Sequence, residues 1–588
     1  MMLPLQLMAL LVLLVATTVG PGLLLVRRLQ WRPLETLGAA VALSHFLVYA
    51  AGMAIYALGV PTAACYGISL LCAAATAACW TELRALWSRQ HIRHVVYAVA
   101  GLFVWVLLMQ LVVRNYTGGN WYGDWFEHYE RARFFLDRPD VNTSFFFGRY
   151  ILPARPPLMN VVAAFYMAQV GSGFEIFQVV FTFLNVLPVL AAALLLPLLL
   201  PKARRPILLL AVLYALNPLF VHNAFFTWTK LYTAFLVLLG LALYLRGWRS
   251  AERSRLIAAF ATLAAATLTH YSAGPFLLFV ALHYMVAVFW RRSRRWSELA
   301  GIVGVGTFVL ATWFAWSIHT YGVRDTLERN TTVAGYAGGG QTLAGAAYNL
   351  YATVVPYPVR GLPVVPMAYR TNPLAELRDW FFHLYQTNLV LGLGSIGWLL
   401  VLIVCVRSQR EKVPRQRRER RFWLGFLLIS IPLAIATNGE PASYGLAHVS
   451  AQPIVLLALA VLAAGFTRLP VALRLLLPVG LAVDYLVGIH LHVQLQSVVF
   501  RVVPSGGGRT IDLSSGLGYG ALNNFLMKHD TGLVFLGDHM TAWQPLLEAA
   551  MVCSAFAMIL YVLRQGRYRR GRPAPALHAQ PVTPMSTA

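Results

Sequence analysis

The chain contains 588 residues, of which 59% are hydrophobic and only 12% are charged, and its mean hydropathy is +0.64. This composition excludes a water-soluble globular protein, whose surface needs about twice as many charged residues. The net charge of +25 comes from short basic clusters between apolar runs. Such clusters are typical of cytoplasmic loops and not of a nucleic-acid-binding surface, so no nucleic-acid partner is expected.

Apolar runs long enough to cross a hydrocarbon core of about 30 Å recur along the chain. They predict an all-α polytopic membrane protein with about fifteen transmembrane helices. The predicted spans are 4–26, 35–58, 60–80, 96–113, 174–200, 206–221, 230–246, 256–270, 274–290, 298–318, 386–406, 422–437, 446–466, 469–489 and 546–563. If the basic clusters are cytoplasmic, the N-terminus lies outside and the C-terminus inside.

This topology divides the chain into four parts. Residues 1–95 form three N-terminal transmembrane helices, and residues 96–440 form a larger membrane module with outer loops 114–174 and 319–385. Residues 441–565 add C-terminal transmembrane helices with an outer loop at 490–545. Residues 566–588 are rich in Pro and Ala without apolar periodicity, which predicts a disordered cytoplasmic tail.

The first outer loop contains GDWFEHYERARFFL, which predicts an amphipathic juxtamembrane helix. Asp124, Glu127, His128 and Arg131 fall on one helical face, beside an apolar face, so we expect the helix to lie flat on the membrane. The apolar stretch at 151–171 follows, and a full crossing there would place the basic segment PKARR outside. It therefore predicts a second interfacial or half-inserted helix.

Carboxylates near a membrane are costly unless they are hydrated or paired. One interpretation makes Asp124 a helix cap and Glu127 part of a solvated face. The other makes both catalytic, because cations that suit a phosphate group lie at the same membrane level. These cations are Arg149, Arg155 and Lys230, and membrane anchoring is the alternative role of the two arginines.

Further candidate substrate-binding residues are His128, His270, Arg360 and Arg370, the two arginines lying in the loop 319–385 that would cover the site. The histidines show no metal-ligand spacing, and capping or headgroup contact is their alternative role. No nucleotide-binding or serine-hydrolase motif is present in the sequence. No metal site is predicted and no cofactor is certain, although the pattern leaves a divalent metal open.

The order of these features resembles the polytopic GT-C glycosyltransferases, which include protein O-mannosyltransferases and lipid A aminoarabinose transferases. The matching features are the span 96–113, the acidic start of GDWFEHYERARFFL, the segment RPPLMNVVAAFYMAQVG and a next span ending in PKARR. The resemblance covers roughly residues 96–440. It implies inverting transfer of a sugar from a polyprenyl-phosphate donor to a hydroxyl of a lipid, glycan or protein acceptor. The family's catalytic base corresponds to Asp124, while Glu127 is the second acid.

The resemblance also implies a location in the membrane, among membrane lipids, with the site on the non-cytoplasmic face. A chain rich in arginine and poor in lysine favours a bacterial inner membrane and a periplasmic or extracellular site. Two other functions stay open from the residues alone. One is a transporter or flippase of lipid-linked sugars, and the other is a non-catalytic membrane scaffold.

Overall fold

A computed structural model describes the chain except for residues 1, 118–122, 146–147, 149, 201–205, 292–294, 329–341, 362–372, 410–415, 440, 499–500, 506–507, 513–518 and 568–588. The tail predicted to be disordered therefore lies almost entirely outside the described residues. Besides helices, the regular structure of the described part consists of one antiparallel hairpin, in which β1 (Arg501–Ser505) pairs with β2 (Gly508–Asp512), and an isolated bridge between Phe145 and Tyr150.

The α-helices are α1 (Met2–Thr18), α2 (Gly20–Val26), α3 (Pro33–Ala57), α4 (Ala64–Ala78), α5 (Trp80–Trp87), α6 (Gln90–Val112), α7 (Asp124–Asp137), α8 (Leu158–Val170), α9 (Phe174–Asn185), α10 (Pro188–Leu199), α11 (Ile207–Ala215), α12 (Pro218–Phe225), α13 (Lys230–Ser250), α14 (Arg253–Thr269), α15 (Gly274–Tyr284), α16 (Trp296–Leu327), α17 (Leu343–Val354), α18 (Pro373–Thr387), α19 (Gly397–Gln409), α20 (Gln416–Gly425), α21 (Ile431–Ala436), α22 (Ala447–Ser450), α23 (Gln452–Gly465), α24 (Val471–Val483), α25 (Leu491–Ser497), α26 (Tyr519–Thr531) and α27 (Gln544–Arg567). Short 3₁₀ turns lie at Arg27–Leu29, Leu152–Ala154, Tyr271–Ala273, Tyr357–Arg360, Leu391–Leu393, Phe466–Arg468 and Leu536–Trp543, and π-helical segments at Met285–Phe289, Phe426–Ser430 and Asp484–His490.

The predicted all-α membrane architecture is confirmed. Within the described residues, nine helices are long and apolar enough to cross a membrane, or up to eleven if two bent helix pairs each form one span. The sequence predicts about fifteen, because it also counts the segments 256–270, 386–406, 422–437 and 446–466. Those segments form helices of at most 17 residues, at or below the shortest length that crosses a bilayer.

The helices differ in how far the protein covers them. Helix α13 is enclosed, with 89% of its most apolar stretch buried, whereas α16 and α27 each have only 17% buried. Because a lipid-facing helix needs apolar side chains but no protein partner, α16 and α27 have the character of peripheral helices. Helix α13 packs against α10 and α14 in the centre of the bundle, and its first residue is Lys230.

Helices α7 and α8 pack against each other, and the structure differs here from the interpretation of Glu127 as part of a solvated helix face. On α7 the polar residues Glu127 and Arg131 and the apolar residues Trp125 and Ala132 are all buried. Nearly every residue of α8 is buried as well. Both faces of α7 are therefore covered by protein, because the polar face meets internal ion-pair partners and not water.

A sharp bend brings Lys230 to the same region. Helices α11 and α12 meet at an angle of 73°, at a break where the Asn217 side chain accepts a hydrogen bond from the backbone N–H of Phe220 and caps α12. Four residues, 226–229, then connect α12 to α13. Within them Thr227 has a positive φ of 56°, a tight conformation that turns the chain back into the bundle.

Candidate active site

Asp124 is the first residue of α7. Gly123 before it has φ of 85°, in the left-handed region that glycine tolerates best, and its carbonyl accepts hydrogen bonds from the backbone of Phe126 and Glu127. The helix therefore starts where the sequence predicts it. As the first residue of the helix, Asp124 lies at the positive end of the helix dipole, which favours a negative charge. It retains some exposure, unlike its neighbours on both sides.

The surroundings of Asp124 shift its acidity. Burial raises its pKa from 3.8 to about 6, and the nearby charge of Glu127 acts in the same direction. Lys230 and Arg155 act in the opposite direction through their positive charges, as does the polar N–H of the nearby Trp228 indole. The carboxylate is therefore mostly ionised at neutral pH and more basic than an ordinary aspartate.

Glu127 is held differently. Its Oε1 lies 2.9 Å from Nε of Arg131 and 3.6 Å from Nε of Arg155, and its side chain is 2% exposed. Burial pushes its pKa up, but the two guanidinium groups outweigh burial and the pKa is lowered. Arg131 also donates to the backbone oxygens of Leu152 at 2.7 Å and Ile151 at 3.4 Å. Glu127 thus anchors α7 to the segment before α8 and orients Arg155.

Lys230, the first residue of α13, acts on Asp124 from a separate part of the chain. Its Nζ is 3.9 Å from the ring centre of Trp228, a cation–π contact, and its charge acts on the Asp124 carboxyl. Asn185 fixes this turn by donating to the Trp228 backbone oxygen at 2.8 Å. Asp124, Glu127, Arg131, Arg155 and Lys230 together are called the Asp124 cluster below.

Two histidines adjoin the Asp124 cluster. His128 is 7% exposed, and burial lowers its pKa to about 3, so the ring is neutral at physiological pH. Its Nδ1 has no hydrogen-bond partner within the described residues. His270 lies within electrostatic reach of Arg155, Lys230 and His128, and its Nδ1 accepts a hydrogen bond from the Ser272 backbone N–H.

The structure does not place all of the other predicted cations at the Asp124 cluster. Arg149 and Arg370 lie outside the described residues. Arg360 donates to the Ser443 backbone oxygen at 2.6 Å and lies 5.6 Å from the ring centre of Tyr351. None of its described contacts joins it to the Asp124 cluster.

A metal-binding arrangement was left open by the sequence. In the described part of the chain, no three or more His, Cys, Asp or Glu side chains come together in a way that could hold a metal ion. The Asp124 cluster instead gathers three basic side chains around two carboxylates, which suits an anionic ligand.

Sequence reasoning missed two residues that shape the site. Trp228 packs against Lys230 and lowers the pKa of Asp124. In the sequence it is one of 16 tryptophans, and nothing distinguishes it from the others. Asn524 accepts hydrogen bonds from the Gly123 backbone N–H at 3.0 Å and the Trp125 indole N–H at 2.7 Å, across some 400 residues of chain. No local pattern signals a contact of that range.

Comparison with protein families gives one match. The family described as "Domain of unknown function (DUF6311)" matches residues 96–477, about 65% of the chain. The chain belongs to this family. The matched region includes α7, α8 and α13, and so contains the whole Asp124 cluster. A search of curated proteins found no match.

Two solved structures are similar in overall arrangement. One is ArnT from Cupriavidus metallidurans bound to undecaprenyl phosphate, with 15% identity, a TM-score of 0.43 and coverage of 80% of this chain and 76% of that chain. The other is the arabinosyltransferase EmbB from Mycobacterium smegmatis, with 15% identity, a TM-score of 0.39 and coverage of 80% and 41%. At such low TM-scores neither likeness assigns a role to any residue.

Proposed function

We propose that the protein is an integral membrane glycosyltransferase that moves a sugar from a polyprenyl-phosphate donor to an acceptor hydroxyl with inversion. One observation carries the proposal. Asp124 has a raised pKa and lies beside the charges of Lys230 and Arg155, yet among the described residues it is in direct ion-pair contact with no cation. A carboxylate with a raised pKa and no direct ion-pair contact is suited to accept a proton from a ligand.

The cations supply the second requirement. A sugar linked to a polyprenyl phosphate leaves behind a phosphate monoester when its glycosidic bond breaks. Arg155 and Lys230 flank Asp124, and the Asp124 cluster carries one more positive than negative charge. This surplus would stabilise the phosphate as it departs, which is an electrostatic contribution to catalysis.

The proposed step moves one proton and one glycosyl group. Asp124 takes the proton from the acceptor hydroxyl while the hydroxyl oxygen attacks the anomeric carbon from the side opposite the phosphate. The bond between the anomeric carbon and the phosphate oxygen breaks, and its electron pair leaves with the polyprenyl phosphate. The single displacement inverts the anomeric configuration. Glu127 holds Arg155 toward the phosphate, while the neutral rings of His128 and His270 face the sugar hydroxyls.

The environment supports a lipid-linked substrate. Lys230 is the first residue of α13, which continues into the apolar bundle. A polyprenyl tail would therefore enter between helices while its phosphate stays at the charged end. We further propose that the site opens on the periplasmic or extracellular side of a bacterial inner membrane. The donor then needs no nucleotide, because the lipid phosphate is itself the leaving group.

The test is transfer by the purified protein in detergent. Radiolabelled mannose, arabinose and aminoarabinose, each linked to polyprenyl phosphate, are offered with cell-envelope fractions as acceptors. The wild-type protein is expected to label the envelope material from at least one donor, and Asp124→Asn to lose about 10²- to 10⁴-fold of that rate. Asp137→Asn is the matched control, because it lies on the same helix in an exposed pair with Arg133.

The transporter alternative gives a different result in the same experiment. In sealed vesicles, a flippase moves the labelled lipid between leaflets and leaves the sugar on its phosphate. Movement across the bilayer without covalent transfer, unaffected by Asp124→Asn, would replace the proposed function by transport. Near-normal transfer by Asp124→Asn would remove Asp124 as the base.

A further inference from the structure

The C-terminal segment 519–543 contacts the start of α7 through Asn524 and Phe535, although it lies beyond residue 477, where the family match ends. This segment comprises α26, a short connection and the 3₁₀ turn Leu536–Trp543. It contacts the residues on both sides of Asp124 and is linked by hydrogen bonds to the end of α12.

The first contact brackets Asp124. The Asn524 side-chain oxygen accepts the backbone N–H of Gly123 at 3.0 Å and the indole N–H of Trp125 at 2.7 Å, the residues immediately before and after Asp124. Asn524 is fully buried. Because one acceptor holds both neighbours, it fixes where the Asp124 side chain leaves the backbone.

Aromatic contacts of Phe535 also stabilise the start of α7. The Phe535 ring lies 5.2 Å from the Trp125 ring, 4.7 Å from that of Phe174 and 4.8 Å from that of Tyr116, measured between ring centres. All four rings are buried. Gly537 allows this approach, since a Cβ there would lie 2.3 Å from the backbone oxygen of Val113.

A polar relay leads from the same segment toward Lys230. The Leu536 backbone N–H donates to Gln178 at 2.8 Å, and Gln178 donates to the Tyr116 hydroxyl at 2.8 Å. Tyr116 in turn donates to the backbone oxygen of Phe225, the last residue of α12, at 2.8 Å. The turn that carries Lys230 begins at the next residue. The segment is thus connected to the two neighbours of Asp124 and to the residue before the turn that leads to Lys230.

We propose that the segment 519–543 is a positioning element of the active site and that Asn524 sets the placement of Asp124. The inference rests on the proposed function for its catalytic consequence. Asn524 touches no reacting atom in this scheme and acts through Gly123 and Trp125. Loss of its oxygen misplaces the base while the donor-binding cations keep their own anchors, Glu127 for Arg155 and Trp228 for Lys230.

The test compares three variants of the full-length protein in the transfer assay. Asn524→Leu removes the acceptor oxygen at similar volume, and kcat is expected to fall about 10- to 100-fold with KM for the donor unchanged. Asn524→Asp keeps the oxygen but adds a negative charge beside Asp124, which raises the pKa of Asp124. Its rate is expected to be low at neutral pH and to recover toward wild type at higher pH. Thr531→Val is the control, because the hydrogen bonds of its hydroxyl to described residues stay within α26.

Hydrogen exchange supplies a readout that does not depend on activity. In Asn524→Leu, backbone amides at the start of α7 are expected to exchange faster, whereas in Thr531→Val they keep the wild-type rate. If Asn524→Leu does not fold, the pH dependence of the transfer rate of Asn524→Asp tests the positioning role instead.

The outcomes separate the inference from the proposed function. Wild-type kcat in Asn524→Leu, from a protein that transfers sugar, overturns the positioning role and leaves the glycosyltransferase standing. If the wild-type protein transfers no sugar, the proposed function fails, and the exchange measurement still tests whether Asn524 holds the start of α7. Unchanged exchange in Asn524→Leu would then overturn the inference too.

Discussion

Helix α13 joins two charged clusters that are built in opposite ways. Lys230, its first residue, belongs to the Asp124 cluster, while Arg246, about 24 Å further along the helix, belongs to a cluster around Glu35. Glu35 is 1% exposed, and each of its oxygens has a guanidinium partner: Arg246 at Oε1, and Arg255 at Oε2 at 2.8 Å. The three residues are called the Glu35 cluster.

The difference shows which charges serve the fold and which are left for a ligand. In the Glu35 cluster the carboxylate is saturated by protein donors, so a ligand would have to displace an arginine. In the Asp124 cluster, Glu127 is also paired with two guanidinium groups, both at its Oε1, but Asp124 is influenced by cations that it does not contact directly. A single residue, three positions from a structural ion pair, therefore has the character of a reactive group.

The largest expected effect is a loss of sugar transfer, which distinguishes the Asp124 cluster from the Glu35 cluster. Asp124→Asn should lose about 10²- to 10⁴-fold of sugar transfer. Its thermal stability should stay equal or rise, because the folded protein disfavours the ionised carboxyl that asparagine removes. Unfolding in detergent at pH 7 checks the second part. A variant that is both inactive and clearly less stable would assign Asp124 to the fold.

The second effect is on stability at the other end of α13. Glu35→Gln leaves Arg246 and Arg255 without their buried carboxylate and should cost about 3–5 kcal/mol. The matched control is Glu82→Gln, whose pair with Arg27 is about one third exposed and should contribute about 0–1 kcal/mol. Equal losses in the two variants would contradict a structural role specific to the Glu35 cluster.

Glu127→Gln should combine both kinds of effect. We expect a stability loss of about 3 kcal/mol, since Arg155 loses its carboxylate while Arg131 keeps two backbone oxygens. We also expect a higher KM for the donor, because Arg155 is no longer oriented. Wild-type stability together with wild-type KM would refute the anchoring role of Glu127.

The smallest effect concerns the indole of Trp228. Trp228→Phe keeps an aromatic face for Lys230 but removes the N–H that lowers the pKa of Asp124. The acid side of the pH–rate profile should therefore move to higher pH, by less than about one unit, with little change in stability. A shift to lower pH would show that the indole does not favour the ionised carboxylate.

Much of the fold could be predicted from the sequence, because apolar runs and basic clusters determine how the chain inserts into a bilayer. The start of α7 at Asp124 was also predictable, since Gly123 precedes a run with helical periodicity. The interpretation of Glu127 as part of a solvated helix face was wrong, because Glu127 and Arg131 satisfy each other inside the protein. A polar helical face alone does not reveal whether its partner is water or another side chain.

The candidate site was predictable only in part. Asp124, Arg155 and Lys230 stand out because charge is rare in this chain, and the structure brings them together. Trp228 and Asn524 do not stand out, since their roles depend on contacts with residues far away in the sequence. The roles of Asp124 and its cations stay predictions until transfer is measured.

The pH dependence of transfer tests the central claim most directly. Below a pH of about 6 the Asp124 carboxyl is protonated and cannot act as base, so the rate should rise with pH and level off above that value. Lys230→Met removes a charge that lowers the pKa of Asp124, so the midpoint should move to higher pH. A rate that is flat from pH 5 to 8 in the wild-type protein, or a midpoint that Lys230→Met leaves in place, would contradict the account.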